Sequence, residues 1–474
     1  MLEQGRNCWR IEQADRMAVI VDADEYFAAA RRALLQARSR VMLIGWDFDA
    51  RITLHDGPRL PGEPERVGEF LLWLVRRTPS LHLYLLRWDM GAIKSLFRGS
   101  TPFTLLRLMR HPRVHVKLDG HHPAAASHHQ KIVVVDDCLA FCGGIDMTGE
   151  RWDTRHHRDG DPRRVRPNGT PYKPWHDATT ALSGPVARAL GDAARDRWAR
   201  ATGERLEPVA DTGPCWPEGL PAHAEAVRVA IARTHPVMAD QEPVHEIEAL
   251  FLDQIASARR WLYCESQYFA SRRVAQAIAR RLDEADGPEI VIVNPLAAQG
   301  WLEPIAMDTA RARLIESLRR RDRHKRLALY HPFTAGGAPI YVHAKITVVD
   351  DRQLRIGSAN LNNRSMRLDT ECDIALVDQA PDMITGIRDG LIAEHLGLPV
   401  SRVVEVLAET GSLIATIERL RGPGRSLRPY VVPDLSAVET WLADNEVLDP
   451  EGPEESFEPL SGHRLFERLR PPPR

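Results

Sequence analysis

The sequence predicts an α/β protein made of two pseudo-symmetric α/β/α sandwich repeats, with a candidate active site at their interface. Three observations support this prediction. Apolar residues recur at helical spacing in segments that alternate with β-branched runs, an order typical of sheets covered by helices. The order of these segments repeats between the two halves of the 474-residue chain. A short motif at His129 returns at His343, after corresponding segments.

Each half begins with a helical segment, a β-rich run and then an aromatic and acidic segment. These stretches read "YFAAARRALLQARSRVMLIGWDFDA" in the first half and "IEALFLDQIASARRWLYCESQYFAS" in the second. A second helix-and-strand pair follows in each half, and a third pair leads into the motif. Because helices and strands alternate, we expect largely buried sheets with covered faces.

The composition of the chain predicts four segments. Residues 1–205 form the first repeat and residues 236–400 form the second. Between them, residues 206–235 are rich in Pro and Gly and are predicted to be a linker. Residues 401–474 begin with helical patterning and end in a Pro- and Glu-rich stretch, so we expect a loosely packed tail or a small cap.

The overall charge argues against a nucleic-acid-binding protein. The chain carries 63 Lys and Arg against 65 Asp and Glu, a formal net charge of −2. Basic runs occur at residues 163–166 and 319–326. Such runs are usually solvated faces, and contact with anionic lipid headgroups stays open as an alternative.

No segment has the character of a membrane span. The longest apolar runs are broken by charge well short of the ~20 residues that a transmembrane helix needs. The N-terminus has no basic end leading into an apolar core, so we expect no cleaved signal peptide. A cytoplasmic or peripheral membrane location is therefore expected, with export by another route left open.

The cysteines and the scattered histidines give no sign of a metal site. Six cysteines without framework spacing predict a reducing compartment and free, buried thiols. Cys138 and Cys142 are the closest pair, and we interpret them as core residues of a strand and its exit. Histidines such as His156 and His157 lack cysteine or acidic partners at regular ligand spacing, so no metal is expected.

The repeated motif is H-x-K-x4-D. Its two copies contain His129, Lys131 and Asp136, and His343, Lys345 and Asp350. Ile, Val and Thr around each copy predict a strand, so His and Lys face the same side, about 7 Å apart. Histidine can act as a nucleophile or general acid near neutral pH, and lysine can neutralise phosphoryl oxygens. Both side chains can therefore act on one phosphate.

The motif aspartates have the opposite parity on a regular strand. They point away from a phosphate held by the His and Lys side chains. We therefore predict a structural role at the strand end for Asp136 and Asp350, although both belong to the catalytic motif.

A second set of residues follows each motif. Gly144 and Gly357 permit a close backbone approach after the strand. Asp146 and Asn360 then stand at the same offset from their histidines. Asn360 can donate a hydrogen bond to a phosphoryl oxygen, as can Ser358, whereas ionised Asp146 cannot.

A catalytic histidine needs its second nitrogen held by an acceptor, which fixes the tautomer. Each half offers a carboxylate at the start of its next strand, Asp177 in the first and Glu371 in the second. We predict that Asp177 holds His129 and that Glu371 holds His343.

The paired motifs resemble those of the phospholipase D superfamily. The stretches "GGIDMTGERWDT", "KPWHD", "ESQYF" and "IGSANLNNRSMRLDTE" are similar to phospholipases D that cleave phosphatidylcholine and related lipids, the eukaryotic type included. The resemblance extends over residues 15–400. It implies a phospholipase D that releases phosphatidate and a headgroup alcohol, with exchange to added alcohols.

The resemblance also implies a mechanism without metal or cofactor. One histidine attacks phosphorus and forms a phosphohistidine, and the other protonates the leaving alcohol and then activates water. Lys131, Lys345, Asn360 and Ser358 hold the phosphoryl oxygens. Spacing does not decide which histidine attacks, and we favour His129.

The repeat predicts how the two motifs meet. We expect the motif strands side by side at the pseudo-twofold interface, with His129 and His343 about 5–7 Å apart, so that one monomer holds one site. The substrate would be phospholipid at a membrane surface. Residues assigned to the substrate pocket are Trp46, Trp175, His176, Glu265, Gln267 and Tyr268.

Three other functions are consistent with parts of this pattern. A phosphatidyltransferase of the cardiolipin-synthase kind would use the same intermediate, although such enzymes usually carry membrane helices. A nuclease of the same superfamily is disfavoured, because those are often short single-motif dimers and this chain is not basic. A non-catalytic lipid-binding module would need a broken motif, and both copies are intact.

Overall fold

The two halves of the chain share one long sheet. The computed structural model describes residues 1–54, 57–89, 101–123, 125–210, 213, 215–239, 241–298 and 307–433. The sheet contains sixteen strands, and two short strands pair separately. The Pro- and Glu-rich end of the predicted tail, from residue 434 on, lies outside the described residues.

The first half alternates helices with strands. Its strands are β1 (Arg10–Val21), β2 (Arg40–Gly45), β3 (His82–Trp88), β4 (Val114–Asp119), β5 (Ile132–Val135), β6 (Leu139–Gly143), β7 (Trp175–His176) and β8 (Ala178–Ser183). Its helices are α1 (Ala23–Gln36), α2 (Val67–Arg77), α3 (Thr101–Met109) and α4 (Pro185–Thr202).

The second half repeats this order and adds C-terminal elements. Its strands are β9 (Ala224–His235), β10 (Val244–His245), β11 (Trp261–Glu265), β12 (Glu289–Val293), β13 (Leu327–Phe333), β14 (Tyr341–Val342), β15 (Ile346–Val349), β16 (Gln353–Gly357), β17 (Glu371–Val377) and β18 (Ser426–Pro429). Its helices are α5 (Glu246–Ser257), α6 (Arg272–Asp283), α7 (Thr309–Arg321), the π-helix Arg364–Leu368, α8 (Pro381–Leu396), α9 (Val400–Thr410) and α10 (Leu413–Leu420).

The strand order confirms the predicted pseudo-twofold repeat. It runs β18-β13-β12-β11-β15-β16-β17-β9-β1-β8-β6-β5-β2-β3-β4. Reading outward from the antiparallel β1–β9 pair, both halves contain an antiparallel set followed by three parallel strands. The α/β fold class is therefore as predicted.

An apolar core joins the two half-sheets. It contains Val134 and Cys142 from the first half and Ile346 and Cys372 from the second. The sulfur atoms of Cys142 and Cys372 lie 3.8 Å apart. Two further cores fill the space under α1 and α2 and under α5 to α7. Helices α1, α2 and α5 to α7 thus cover one side of the two half-sheets, and α4 and α8 to α10 pack on the shared core at the other side.

Two predicted segment boundaries are wrong. Within the predicted linker at 206–235, residues 224–235 form β9, which pairs with both β1 and β17. Apolar residues of β9 are buried by this pairing. The Pro- and Gly-rich residues just before β9 led to the prediction that the whole segment is a linker. In the tail, α9 and α10 contribute to the core, and β18 joins the sheet beside β13. The first part of the tail is therefore integral to the second half.

The expected adjacency of the motif strands is also wrong. Six strands separate β5 from β15 in the sheet. The segments that precede these two strands meet instead, and they bring His129 and His343 together across the interface between the halves.

One cysteine prediction is wrong as well. Cys138 forms a disulfide with Cys215, which belongs to the predicted linker. The bridge joins residues 77 apart in sequence, so spacing gave no signal of it. Cys8, Cys142, Cys264 and Cys372 are free and buried, as predicted. Among the described residues, no helix is both long enough and apolar enough to cross a bilayer.

The motif aspartates lie at the turns that follow β5 and β15. Asp136 and Asp350 have left-handed backbones, with φ of 50° and 51°. The Asp136 carboxylate accepts the N–H groups of residues 38–40 at the start of β2. Asp350 does the same for residues 259–261 at the start of β11. These contacts agree with the predicted strand-end role.

We expect Asp136→Asn and Asp350→Asn to act on stability and leave the reaction largely intact. Asparagine tolerates the left-handed backbone, so the substitution removes charge-assisted hydrogen bonds without adding strain. Each variant should lose about 1–3 kcal/mol of unfolding free energy. Denaturant unfolding measures this loss, and the exposed Asp286→Asn serves as the control. Unchanged stability together with lost turnover would contradict the structural role.

Candidate active site

The two motif histidines meet at the interface between the halves. His129 precedes β5 and His343 precedes β15, and their ring centroids are 6.5 Å apart. The side chain of His129 is 16% exposed and that of His343 is 7% exposed. The predicted separation is confirmed, and the two histidines share one largely buried site.

Each histidine is held by a carboxylate from the other half, so the predicted pairing is wrong. Nδ1 of His129 lies 3.0 Å from Glu371 Oε1. Nδ1 of His343 lies 2.7 Å from Asp177 Oδ2. Because Nδ1 is engaged in both rings, Nε2 is the nitrogen left to act on a substrate.

The exchange follows from backbone pairing across the interface. The N–H of His129 donates to the carbonyl of Thr370, directly before Glu371. The N–H of His343 donates to the carbonyl of His176, directly before Asp177, and β14 pairs with β7 in the same region. Sequence offsets allow either pairing equally well, and only the way in which the halves face each other selects this one.

The two lysines have different surroundings. Each ammonium donates to the backbone carbonyl of its own motif histidine. Lys131 also lies 3.2 Å from Asp146 Oδ2. At the equivalent position the second half has Asn360, and within the described part of the chain Lys345 forms no ion pair. The two halves therefore differ as Asp146 and Asn360 predicted: the charge of Lys131 is compensated by Asp146, whereas Asn360 carries no charge to compensate Lys345.

Asn360 lies beside Gln267, a predicted pocket residue. Its Nδ2 donates to Gln267 Oε1 at 3.4 Å, and its buried Oδ1 has no hydrogen-bond partner among the described residues. Nε2 of Gln267 donates to the hydroxyls of Tyr268 and Tyr341, both at 2.9 Å. Tyr341 was not singled out by the sequence, although it comes two residues before the second motif histidine.

Ser358 has a different role from the one predicted. It is fully buried, and its hydroxyl donates to Glu371. Ser365 donates to the other oxygen of the same carboxylate at 2.7 Å. The two hydroxyls orient Glu371 toward His129, so Ser358 does not hold a phosphoryl oxygen. Ser365 lies within the quoted "IGSANLNNRSMRLDTE" stretch, but its position in the sequence does not predict a hydrogen bond to Glu371.

The close approach predicted at Gly144 is present. A Cβ there would lie 2.3 Å from Asp177 Oδ1, so a side chain would displace the carboxylate that holds His343. At Gly357 the obstacle would be Asp373.

Two tryptophans of the predicted pocket lie near the site. The Trp175 ring is 5.1 Å from the His343 ring and 4.7 Å from the Tyr341 ring. The guanidinium of Arg151 lies 4.2 Å from the Trp175 ring centroid. Trp46 stacks on Trp88 at 5.8 Å, and its backbone N–H donates to Asp146. Arg151, within the quoted "GGIDMTGERWDT" stretch, is a cation near the site that sequence reasoning missed.

Two assigned pocket residues do not line a pocket. His176 is fully buried and Glu265 is 1% exposed. His176 Nε2 lies 2.7 Å from Glu265 Oε2, inside a cluster of charged groups. The aromatic and polar neighbours in "KPWHD" and "ESQYF" suggested a pocket wall, but these side chains point into the interior.

Burial and charge set the protonation of the site. Burial, followed by the positive charge of Lys345, holds the pKa of His343 well below its usual range. Burial lowers the pKa of Lys345 to about 7, and Asp177 only partly opposes this. Burial of Asp177 disfavours its charge, but His343 and Lys345 outweigh it and lower the carboxyl pKa to about 2. His129 likewise outweighs burial and lowers the pKa of Glu371.

The arrangement can transfer a phosphoryl group. Two imidazoles with carboxylate partners can attack phosphorus and manage protons, and two buried ammonium groups can stabilise negative charge at the same place.

Two family profiles match the chain. The one described as "Phospholipase D" matches residues 33–213, and the one described as "Cardiolipin synthase, PLD-like domain" matches residues 251–387. The chain is 24% identical over 478 residues to phospholipase D A of Dictyostelium discoideum, covering 83% of this chain and 36% of that protein. It is 27% identical over 294 residues to cardiolipin synthase A of Pseudomonas putida, covering 61% of this chain and 52% of that protein.

A solved structure shares the architecture. The crystal structure of phosphatidylserine synthase from Haemophilus influenzae Rd KW20 matches with a TM-score of 0.57 and 13% identity, covering 84% of this chain and 94% of that one. At this identity the likeness concerns the fold alone. The chain spans only about a third to a half of the length of the two curated relatives.

Proposed function

Because the chain belongs to the phospholipase D superfamily, we propose that it is a phospholipase D acting at a membrane surface. It hydrolyses the distal phosphodiester of glycerophospholipids to phosphatidate and the headgroup alcohol, and it transfers the phosphatidyl group to added alcohols. A single chain supplies both motif copies, so the proposed active form is a monomer.

One observation carries the proposal. His129 and His343, with ring centroids 6.5 Å apart, each have Nδ1 engaged by a buried carboxylate. A phosphodiester placed between the two rings would meet an Nε2 atom on either side. One nitrogen can then attack phosphorus while the other faces the leaving oxygen, which is the geometry of an in-line displacement.

The first step forms a phosphohistidine. The Nε2 lone pair of one histidine attacks phosphorus, and the bond from phosphorus to the headgroup oxygen breaks. The other histidine, protonated on Nε2, gives its proton to that oxygen, so the headgroup leaves as an alcohol. An anionic phosphodiester beside His343 favours its protonated form and opposes the low pKa of the unliganded site.

The second step releases phosphatidate. The histidine that has lost its proton accepts one from a water molecule, whose oxygen attacks phosphorus. The bond between phosphorus and Nε2 breaks, and its electron pair returns to the first histidine. Both rings are then restored to their starting states.

The cations near the site stabilise the phosphoryl oxygens as charge develops. Lys131 and Lys345 lie next to the histidines in both halves, and Asn360 adds an amide donor. Arg151 is a further candidate because its guanidinium lies over the Trp175 ring, which packs against His343.

The identity of the nucleophile remains a prediction. Sequence reasoning favoured His129, whereas the low pKa of His343 favours the free base that attacks. Acid quenching destroys phosphohistidine, so an alkaline quench followed by peptide mapping identifies the modified histidine. The two peptides differ in sequence, and the result is unambiguous.

A transferase that uses a lipid alcohol is the second candidate. It is favoured by the match of residues 251–387 to the cardiolipin-synthase profile. Both functions share the covalent intermediate and differ in the acceptor. The transferase would be favoured if, in aqueous assays, the phosphatidyl group were transferred mainly to a lipid alcohol and little phosphatidate were formed.

Alcohol exchange is the direct test of the covalent route. With phosphatidylcholine in mixed micelles, added 1-butanol should divert product from phosphatidate to phosphatidylbutanol, while choline release changes less than about twofold. The reason is that the headgroup leaves before the acceptor enters, so the acceptor changes only the second step. Lipid mass spectrometry and choline release are measured together across a butanol series.

The controls separate exchange from solvent effects. Tertiary butanol changes the solvent similarly but is too hindered to attack, so it should give phosphatidate alone. Phosphatidate alone at every 1-butanol concentration, with inversion at a chiral phosphorothioate substrate, would contradict the phosphohistidine. Absence of any headgroup release from a panel of phospholipids would overturn the proposed function itself.

A further inference from the structure

A second cluster of histidines and carboxylates lies beside the active site. It contains Asp22, His157, His176 and Glu394, all of them buried. Asp22 follows β1, His157 lies between β6 and β7, His176 belongs to β7, and Glu394 belongs to α8. Because these residues are far apart in sequence, no ligand spacing reveals them, and the sequence alone predicts no metal at His157.

The four side chains converge on one point. Nδ1 of His176 lies 2.9 Å from Glu394 Oε1 and 3.3 Å from Asp22 Oδ1. Nε2 of His157 lies 3.1 Å from Glu394 Oε1 and 3.5 Å from Asp22 Oδ2. Ligands that surround a tetrahedral zinc ion with bonds of about 2.0–2.1 Å are themselves about 3.3 Å apart. The observed separations scatter around that value.

Two of the converging atoms lack a hydrogen bond. Asp22 Oδ2 and His176 Nδ1 are buried, and neither has a hydrogen-bond partner among the described residues. The Nδ1 atom comes within 2.9 Å of a carboxylate oxygen without the alignment of a hydrogen bond. Buried polar atoms without a hydrogen bond lower the stability of the folded protein. An ion at their centre would satisfy both.

The outer contacts are those of metal-binding histidines. His176 Nε2 lies 2.7 Å from Glu265 Oε2, and His157 Nδ1 lies 3.1 Å from Asp153 Oδ2. A histidine bound to zinc usually donates its other N–H to a carboxylate, which fixes the tautomer and the ring orientation. Arg155 holds the remaining oxygen of Glu394 at 2.6 Å. Each of these contacts leaves one ligand atom aimed at the common point.

We propose that Asp22, His157, His176 and Glu394 bind a structural zinc ion. Two neutral imidazoles and two carboxylates balance the charge of a divalent cation and form a closed four-ligand set. Imidazole nitrogens suit zinc, whereas calcium and magnesium prefer oxygen ligands alone. A neighbouring group of His176, Glu265 and His395 is less suitable, because it offers three ligands and not the four of a closed structural site.

The zinc site supports the active site without taking part in the reaction. Asp22 Oδ1 accepts the backbone N–H of Asp177 at 3.0 Å, and Asp177 holds His343. His176 precedes Asp177 directly and belongs to β7, which pairs with β14 before the second motif. Zinc would thus hold the Asp177 carboxylate of the first half in position against His343 of the second.

The test measures metal in the full-length protein, purified without an affinity tag or chelator from zinc-supplemented cells. We expect about one zinc per chain by elemental mass spectrometry. X-ray absorption should give nitrogen and oxygen neighbours at about 2.0–2.1 Å, with imidazole scattering and no sulfur at about 2.3 Å. Removing zinc with dipicolinate should lower the melting temperature, and added zinc should restore it.

Variants locate the metal. Asp22→Asn combined with His157→Gln should abolish stoichiometric zinc, and Glu265→Gln should weaken binding about 10- to 100-fold. His245→Gln, outside the cluster, should retain one zinc. If the double variant does not fold, the X-ray absorption spectrum of the wild type still tests whether nitrogen and oxygen atoms bind the zinc. Sulfur ligation, zinc retained in a folded double variant, or less than about 0.1 zinc per chain with no thermal response would each overturn the site.

Discussion

His129→Gln and His343→Gln are each expected to lower kcat at least about 10³-fold while the protein stays folded. Loss of one imidazole removes either the nucleophile or the proton donor, and general acid–base catalysis alone contributes about 10²–10⁴-fold. The fold should survive because the carboxylate partners keep other donors. Glu371 retains the hydroxyls of Ser358 and Ser365, and Asp177 retains the N–H of Ala178.

Choline release and thermal unfolding are the two measurements for these variants. His245→Gln, a histidine outside the site, is the matched control and should behave as the wild type in both assays. Retention of more than about a tenth of kcat by either motif variant would contradict the two-histidine reaction. If the melting temperature of a variant fell so far that the protein was unfolded at the assay temperature, the loss of activity would be assigned to unfolding.

Lys131→Met and Lys345→Met are expected to change stability in opposite directions while each lowers kcat about 10²–10³-fold. Both remove a cation that stabilises the phosphoryl oxygens. Lys131→Met also leaves buried Asp146 without its ion-pair partner, which should cost about 3 kcal/mol of unfolding free energy. Lys345 has no such partner among the described residues, and its replacement removes a buried charge that Asp177 only partly compensates. We expect that variant to gain about 1–2 kcal/mol.

The gain from Lys345→Met should depend on pH in a defined direction. The folded-state pKa of Lys345 is lowered to about 7, mainly by burial, whereas the unfolded value is about 10.4. Between these values the unfolded chain binds more protons, so wild-type stability rises with pH there. The advantage of the methionine variant is therefore largest below pH 7 and declines as the pH rises toward 10.

Denaturant unfolding at pH 6.5 and pH 9 measures both effects. Lys325→Met, at a turn before β13 and away from the site, is the control and should change stability little at either pH. Equal destabilisation by the two motif lysine substitutions would show that Asp146 and Asn360 do not distinguish the halves. A stability gain for Lys345→Met that grows with pH would contradict the direction of the lysine shift.

Local patterns in the sequence predicted most of the fold. The alternation of helices and strands, the repeat and the two motifs depend on side-chain periodicity and on residue types next to one another in the chain. The strand-end role of Asp136 and Asp350 was also predictable, because the parity of a strand fixes which side a residue faces. Where a strand was flanked by Pro and Gly, as in β9, these residues masked the period.

The sequence by itself predicted one site for His129, Lys131, His343 and Lys345, because the two motif copies occupy matched places in a repeat. Only the tertiary structure decided that Glu371 serves His129 and Asp177 serves His343. Offsets along the chain do not choose between the two pairings, and the choice depends on backbone hydrogen bonds that cross between the halves. The disulfide of Cys138 also depends on tertiary packing, since Cys138 and Cys215 meet in the core of the first half. The proposed zinc cluster forms only when Glu394 of the second half packs against Asp22, His157 and His176 of the first.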